Sequence, residues 1–178
     1  MPCTIRSSFE TDLPAITSIY AHHVLTGTGT FETEPPTLIE MAARRADVLA
    51  KGLPHLVIED AGQVLGFAYG NWFKPRPAYR YSVEDSIYLA PEQSRRGLGK
   101  LLLAELLARL EAAGIRKVMA IIGDSANAAS VGLHAALGFT RVGVVDSCGW
   151  KFGAWRDIVI MQKTLGCGDT AAPSDAPS

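Results

Sequence analysis

Apolar and polar positions along the chain alternate between two periods. Residues 4–7 open with a short alternating stretch that predicts a first strand. Leu13, Ile16, Ile19, Tyr20 and Val24 then recur at helical spacing and predict a helix over 12–25. The Gly-Thr-Gly-Thr run at 27–30 breaks it. Pro35-Pro36 precede Thr37 and Glu40, which have the Ser/Thr-x-x-Glu form of a capping box, so a second helix is expected from there to about Ala50. Residues 56–60 and 63–70 flank Ala61-Gly62 and read as a hairpin. Residues 86–90 predict a fourth strand, stopped by Pro91. Leu98, Leu101, Leu102, Leu106 and Leu110 mark a long helix closing at Gly114. The apolar run 117–122 suits a strand buried on both faces. A helix over 126–137 ends at Gly138, and strands over 141–146 and 155–163 finish the chain. Strands alternating with helices in the second half predict an α/β protein with a covered sheet.

Composition narrows the class. The chain has 178 residues, 48% of them hydrophobic, which fits one domain with a substantial core. A net charge of −1 disfavours a duplex nucleic-acid binder, and the hydrophobic content disfavours a disordered chain. Residues 166–178 are small, polar and punctuated by proline, so they are expected to be a disordered tail after a single domain over 1–165. Cys3, Cys148 and Cys167 are odd in number and lack metal spacing. With no apolar leader and no run long enough to span a bilayer, a soluble cytoplasmic protein without a metal is expected.

The most informative segment is 91–100, Pro-Glu-Gln-Ser-Arg-Arg-Gly-Leu-Gly-Lys. A strand enters a turn there, and the turn opens the long helix. The first amides of a helix have no internal acceptor and can donate to an anion. Gly97 and Gly99 allow close approach, and Arg95, Arg96 and Lys100 add positive charge. This is a pyrophosphate-binding pattern. It is not the nucleoside-triphosphate loop, because Ser94 stands where Gly is needed and Leu101 follows Lys100. It is not the dinucleotide fingerprint either, because Leu102 occupies the third small position. Charge is also concentrated locally. Lys74, Arg76, Arg80, Arg95, Arg96 and Lys100 stand against Glu84, Asp85 and Glu92 over residues 74–100.

The second informative segment runs from Asn127 through Ser130 and His134 to Gly138-Phe139, with Asn127 a helix cap. Taken with the 94–99 turn, it resembles the GCN5-related N-acetyltransferases. Their acetyl-CoA site pairs a Gln/Arg-x-x-Gly-x-Gly/Ala turn with a later Asn…Leu-Tyr/His-x-x-x-Gly-Phe helix. Residues 72–89, Thr30-Phe31, Glu34-Pro35 and 149–157 are similar to the phosphinothricin and methionine-sulfoximine N-acetyltransferase branch. The likeness covers residues 5–165. One departure is Ser94, where the family usually has Gln or Arg.

The resemblance implies a mixed central sheet flanked by helices and an acetyl-CoA-dependent acetylation of the α-amine of a small amino-acid-like substrate. It implies Glu84 as general base and His134, where many relatives have Tyr, as an acid or a cofactor contact. It implies acetyl-CoA bound by Ile87, Tyr88, Leu89, Arg95, Arg96, Gly97, Leu98, Gly99, Lys100, Asn127 and Ser130. The acceptor is expected to meet Phe31, Lys74, Arg76, Tyr79, Glu84, Asp85 and Ser86, with Lys74 and Arg76 facing its carboxylate or phosphinate. Consecutive strand residues face opposite sides, so one of Glu84 and Asp85 is expected to face the substrate. Trp150 and Trp155 are expected as pocket wall or core. His22, His23 and His55 are assigned no chemistry. A homodimer is implied by resemblance alone. The competing expectations are the same fold acting on a peptide N-terminus or polyamine, and an acyl-CoA-binding module without activity.

Overall fold

The computed structural model describes residues 3–93 and 96–173. The elements follow the predicted order: β1 (Thr4–Ser7), α1 (Leu13–Thr26), α2 (Leu38–Ala50), β2 (His55–Asp60), β3 (Gln63–Trp72), β4 (Ser82–Leu89), α3 (Leu98–Ala112), β5 (Lys117–Gly123), α4 (Ala128–Ala136), β6 (Thr140–Lys151) and β7 (Ala154–Thr164). Two single 3-10 turns lie at Glu10–Asp12 and Pro77–Tyr79. The seven strands form one sheet in the order β1-β2-β3-β4-β5-β7-β6, antiparallel throughout except for β4 and β5. This is the mixed α/β sheet that the sequence predicts.

Local chemistry explains the element ends. Thr37 accepts the Glu40 amide at 3.2 Å, and the Glu40 carboxylate accepts the Thr37 amide at 2.6 Å, closing the capping box of α2. Asn127 caps α4 by accepting the Ser130 amide at 3.2 Å. Gly97 takes φ +78° immediately before α3, a left-handed conformation that glycine adopts without strain. Most strands run slightly further than the sequence predicts, and two run much further. β4 starts at Ser82, so Glu84 and Asp85 lie within the strand, although acidic residues disfavour it locally. β6 continues to Lys151 across an irregular register between Val145 and Gly149.

The alternation of side chains builds two cores. Leu56, Ile58, Ala68, Val83, Val118, Ala120 and Ile122 pack with the leucines of α3 on one face. Val57 and Phe67 pack with Leu13, Ile16, Ile19, Tyr20 and Val24 of α1 on the other. Arg6 fastens the first strand, donating to Asp12 at 2.7 and 2.9 Å and to Glu59 at 2.6 and 3.0 Å. Residues 165–170 form hydrogen-bonded turns after β7. Among the described residues no helix is long and apolar enough to cross a membrane.

One irregularity in the sheet positions the site. β4 pairs with β5 only over Ser82–Glu84 and Lys117–Met119. Beyond that point β4 stays with β3 as far as Leu89, and β5 stays with β7 as far as Gly123. The two central strands separate just past Glu84.

Candidate active site

A cleft of about 900 Å³ occupies this separation and reaches both faces of the sheet. On the α1 face its wall is built from Tyr20, His23, residues 27–32, Arg44, Tyr69, Glu84, Ser86 and Tyr88. On the α3 face it is built from Asp85, Ile87, Leu89, Gly97–Lys100, Asn127, Ser130, Leu133 and His134. The strand period sends Glu84 and Asp85 to opposite faces, yet both line the cleft because it passes through the gap between the strands.

The α3 half consists largely of backbone and small side chains. Gly97 to Lys100 open α3 toward the cleft, so the unpaired amides of its first turn lie in the wall. A Cβ on Gly99 would stand 3.4 Å from Leu133, so glycine there lets α3 and α4 lie close. Along β4, N–H groups point alternately toward β3 and toward the gap, which leaves donors free on the cleft side. His134 is 3% exposed. Its Nδ1 lies 2.7 Å from the Ser130 carbonyl and its Nε2 lies 3.0 Å from Asp85 Oδ2. Burial pulls the His134 pKa down, but the hydrogen bond and charge of Asp85 outweigh it and the net shift is upward.

The α1 half is a polar network on an aromatic base. Tyr20 donates to Glu32 at 2.9 Å and pairs with Thr30 at 3.0 Å. Arg44 grips Glu32 with two bonds of 2.6 and 3.1 Å and lies over the Tyr20 ring. Burial pushes the Tyr20 hydroxyl up to about 12. His23 donates from Nε2 to the Leu89 carbonyl at 2.8 Å, and burial lowers its pKa. Glu84 is raised from the usual carboxylate range, first by desolvation and then by Asp85, while Lys74 pulls it back.

Loop 27–32 is seated by contacts from two distant strands, β5 and β6. A Cβ on Gly123 would collide with the Thr28 carbonyl, and a Cβ on Gly149 would collide with the Phe31 ring. Lys151 is buried and donates to the Thr30 carbonyl at 2.7 Å.

The sequence-predicted residues are partly brought together. Phe31, Glu84, Asp85, Ser86, Ile87, Tyr88, Leu89, Gly97, Leu98, Gly99, Lys100, Asn127, Ser130 and His134 all line the cleft. Arg96 pairs with Gln93 outside that wall. Lys74, Arg76 and Tyr79 also lie outside it, on the connection from β3 to β4. There Lys74 lies over Phe73, and Tyr79 packs edge-on against Phe73. Ser94 and Arg95 fall outside the described residues. Trp150 and Trp155 are not core or cleft wall. They are 58% and 62% exposed and pack against each other at 5.4 Å near the tip of the β6–β7 hairpin, which runs past the last β5–β7 pair, Gly123 with Ile158. Tyr20, His23, Thr28, Glu32, Arg44 and Tyr69 join the wall without a sequence motif that marks them. Among the described residues no cluster of three His, Cys, Asp or Glu side chains is placed to hold a metal ion.

Comparison with known proteins agrees with this geometry. The model of the acetyltransferase (GNAT) family matches residues 16–139. The chain is 53% identical over 171 residues to a phosphinothricin N-acetyltransferase of Alcaligenes faecalis, covering 96% of this chain and 87% of that protein. It is 41% identical over 170 residues to an L-methionine sulfoximine/L-methionine sulfone acetyltransferase of Pseudomonas aeruginosa, covering 93% and 96%. The crystal structure of a phosphinothricin acetyltransferase from Sinorhizobium meliloti in complex with acetyl-CoA superposes with a TM-score of 0.95 at 43% identity, covering 99% and 95%. A divided sheet, a helix opening onto the cleft and a likeness that spans nearly the whole chain agree: the chain belongs to the acetyltransferase (GNAT) family.

Proposed function

We propose that this enzyme transfers the acetyl group of acetyl-CoA to the α-amine of a small anionic amino-acid-like acceptor. The acceptor class is phosphinothricin, methionine sulfoximine or methionine sulfone. The observation that carries this reading is the cleft through the β4–β5 separation, which lets two ligands enter from opposite faces and meet beside Glu84. The names of the relatives support the acceptor class.

Each half has its own task. The α3 amides at Gly97, Leu98 and Gly99, with Lys100, Arg96 and Arg95, bind the cofactor's pyrophosphate. Asn127 and Ser130 contact the cofactor arm, and His134 lies at its thioester end. Glu84 takes a proton from the acceptor ammonium, directly or through water, and desolvation strengthens it as a base. The freed amine attacks the thioester carbon. Cleft-facing amides among Ile87, Tyr88 and Leu89 stabilise the oxyanion as it forms, the C–S bond then breaks with its electron pair on sulfur, and the surplus proton of the new amide nitrogen passes to the departing thiolate, directly or through water. Phe31 and Ser86 shape the acceptor half, Asp85 lies on the cofactor side against His134, and Lys74 and Arg76 approach the acceptor's oxyanion from the β3–β4 connection, where Tyr79 lies outside the cleft wall. The exposed aromatic face of the β6–β7 hairpin, with Trp150, Phe152 and Trp155, suits a homodimer of a cytoplasmic protein. Sedimentation of wild type and Trp155→Lys checks that pairing.

The activity test is thiol release from acetyl-CoA, with the acetylated product identified by mass. Turnover with these three amines and little with peptides or polyamines supports the reading. Turnover confined to peptides or polyamines moves the acceptor class. Acetyl-CoA binding without turnover on any amine overturns the catalytic reading.

A further inference from the structure

The pairing of Asp85 with His134 imposes a condition that the hydrogen-bond donors decide. The Ser130 carbonyl can only accept, so His134 Nδ1 carries a proton and donates to it at 2.7 Å. A neutral imidazole then presents a lone pair at Nε2, which faces the Asp85 carboxylate at 3.0 Å. Two acceptors do not bond. The contact requires one further proton, held between Nε2 and Oδ2. Both residues are buried, and the Asp85 side chain is 1% exposed, so water does not compete for it. Asp85 Oδ1 is buried with no partner among the described residues. The fold therefore satisfies only one oxygen of this carboxylate, which is unusual for a purely structural group.

The pair also joins two parts of the site. Asp85 lies on β4 where that strand leaves β5, and His134 lies in the last turn of α4, where the helix dipole favours a cation. The other groups that face His134 are the Ser130 hydroxyl at 3.4 Å and the Phe139 ring at 4.9 Å. The remaining charged side chains of the cleft wall are Glu84, Lys100, Glu32 and Arg44. Of the charged groups, Asp85 alone shifts His134 appreciably.

We infer that Asp85 is a positioning residue: through one shared proton it fastens His134, and with it α4, against β4, so that the grip on acetyl-CoA depends on that proton. This rests on the reading above that α4 borders the cofactor half. Deprotonation of His134 turns the contact into a repulsion, α4 loosens, and CoA binding weakens as pH rises. An Asn at position 85 supplies its own N–H to a neutral Nε2, so it restores the tie without the shared proton. An Ala at that position removes the tie at every pH.

The test is the Kd for CoA by calorimetry from pH 6 to 9 in wild type, Asp85→Asn and Asp85→Ala. Wild type is expected to weaken with rising pH by about tenfold, the effect of one charge-assisted hydrogen bond. Asp85→Asn is expected to stay flat relative to it, and Asp85→Ala to be weak throughout. An NMR titration of the His134 ring needs no ligand. It is expected to show a pKa above the usual 6.5 in wild type and below it in Asp85→Asn, where burial outweighs the remaining hydrogen bond to the Ser130 carbonyl. Identical pH dependence in wild type and Asp85→Asn, or a wild-type ring that titrates below 6.5, overturns the inference. CoA binding absent from all three proteins with the NMR result intact locates the failure in the cofactor reading, not in the shared proton.

Discussion

The two halves of the cleft are built in different ways. Besides Asp85, Ile87 and Leu89 of β4, the α3 half draws on two continuous segments, 97–100 and 127–134, each a helix start together with the residues next to it. The α1 half gathers Tyr20, residues 27–32, Arg44, Tyr69, Ser86 and Tyr88 from five elements and connections. A ligand held by backbone amides and small residues needs a local motif, because the helix terminus itself does the binding. A ligand held by side chains needs a tertiary arrangement. The first half is therefore compact in sequence and suited to one fixed cofactor. The second is dispersed, and its side chains set which amine enters.

This contrast is broken most severely at the junction. Glu84→Gln should lower kcat by about 10²–10⁴ if Glu84 removes the amine proton, while CoA binding is kept. The wild-type rate should rise with pH as Glu84 ionises, above the usual carboxylate range, and the variant should lack that limb. An unchanged pH–rate profile in the variant would falsify the role.

The next effect concerns stability beneath the α1 half. His55 is 4% exposed, stacks on Tyr69 at 5.2 Å, and burial depresses its pKa to about 4. The unfolded chain binds this proton near pH 6.5 and the folded chain does not. Its contribution is therefore complete above 6.5 and is lost as pH falls toward 4, by about 3 kcal/mol in all. His23, also depressed, acts in the same direction, and His134, raised, acts in the opposite one. Urea unfolding at pH 7.5 and 5 should show the loss, and His55→Phe should flatten it. Equal slopes in both proteins would contradict this assignment.

A smaller effect sharpens where the acceptor's anion docks. Lys74→Ala and Arg76→Ala should each raise the amine KM about two- to fivefold, the scale of an exposed ion pair, with CoA affinity unchanged. An amine KM that does not move would shift the anion to Arg44, the arginine that lines the cleft wall.

Much of this architecture was legible in the sequence, for reasons that separate the two halves again. Helical spacing, the Thr37–Glu40 box and the Asn127 cap are local signals, and the structure places each as read. The Gly97–Lys100 turn was legible for the same reason. The α1 half was not, apart from Phe31, Glu84, Ser86 and Tyr88, which came through resemblance. Nothing near Arg44 or Tyr20 in sequence reveals that they meet through Glu32. Gly123 and Gly149 read as ordinary glycines until loop 27–32 is seen to rest on them. Trp150 and Trp155 are exposed where the β6–β7 hairpin runs past its last pairing with β5, a property of sheet register that no local pattern encodes. The Asp85–His134 pair joins positions 49 apart.

The separation of labour between the halves is tested most directly by Gly123→Ala. Its Cβ would displace the Thr28 carbonyl and unseat loop 27–32, while its link to the α4 segment is a single long hydrogen bond of 3.4 Å from the Asn127 side chain to the Gly123 carbonyl, a backbone group that the substitution keeps. The measurement is the amine KM and the CoA Kd in this variant and in wild type. The account predicts an amine KM raised about tenfold or more, as for a misplaced binding loop, with the CoA Kd unchanged. A CoA Kd weakened as much as the amine KM would show that the two halves are one site and would contradict the account.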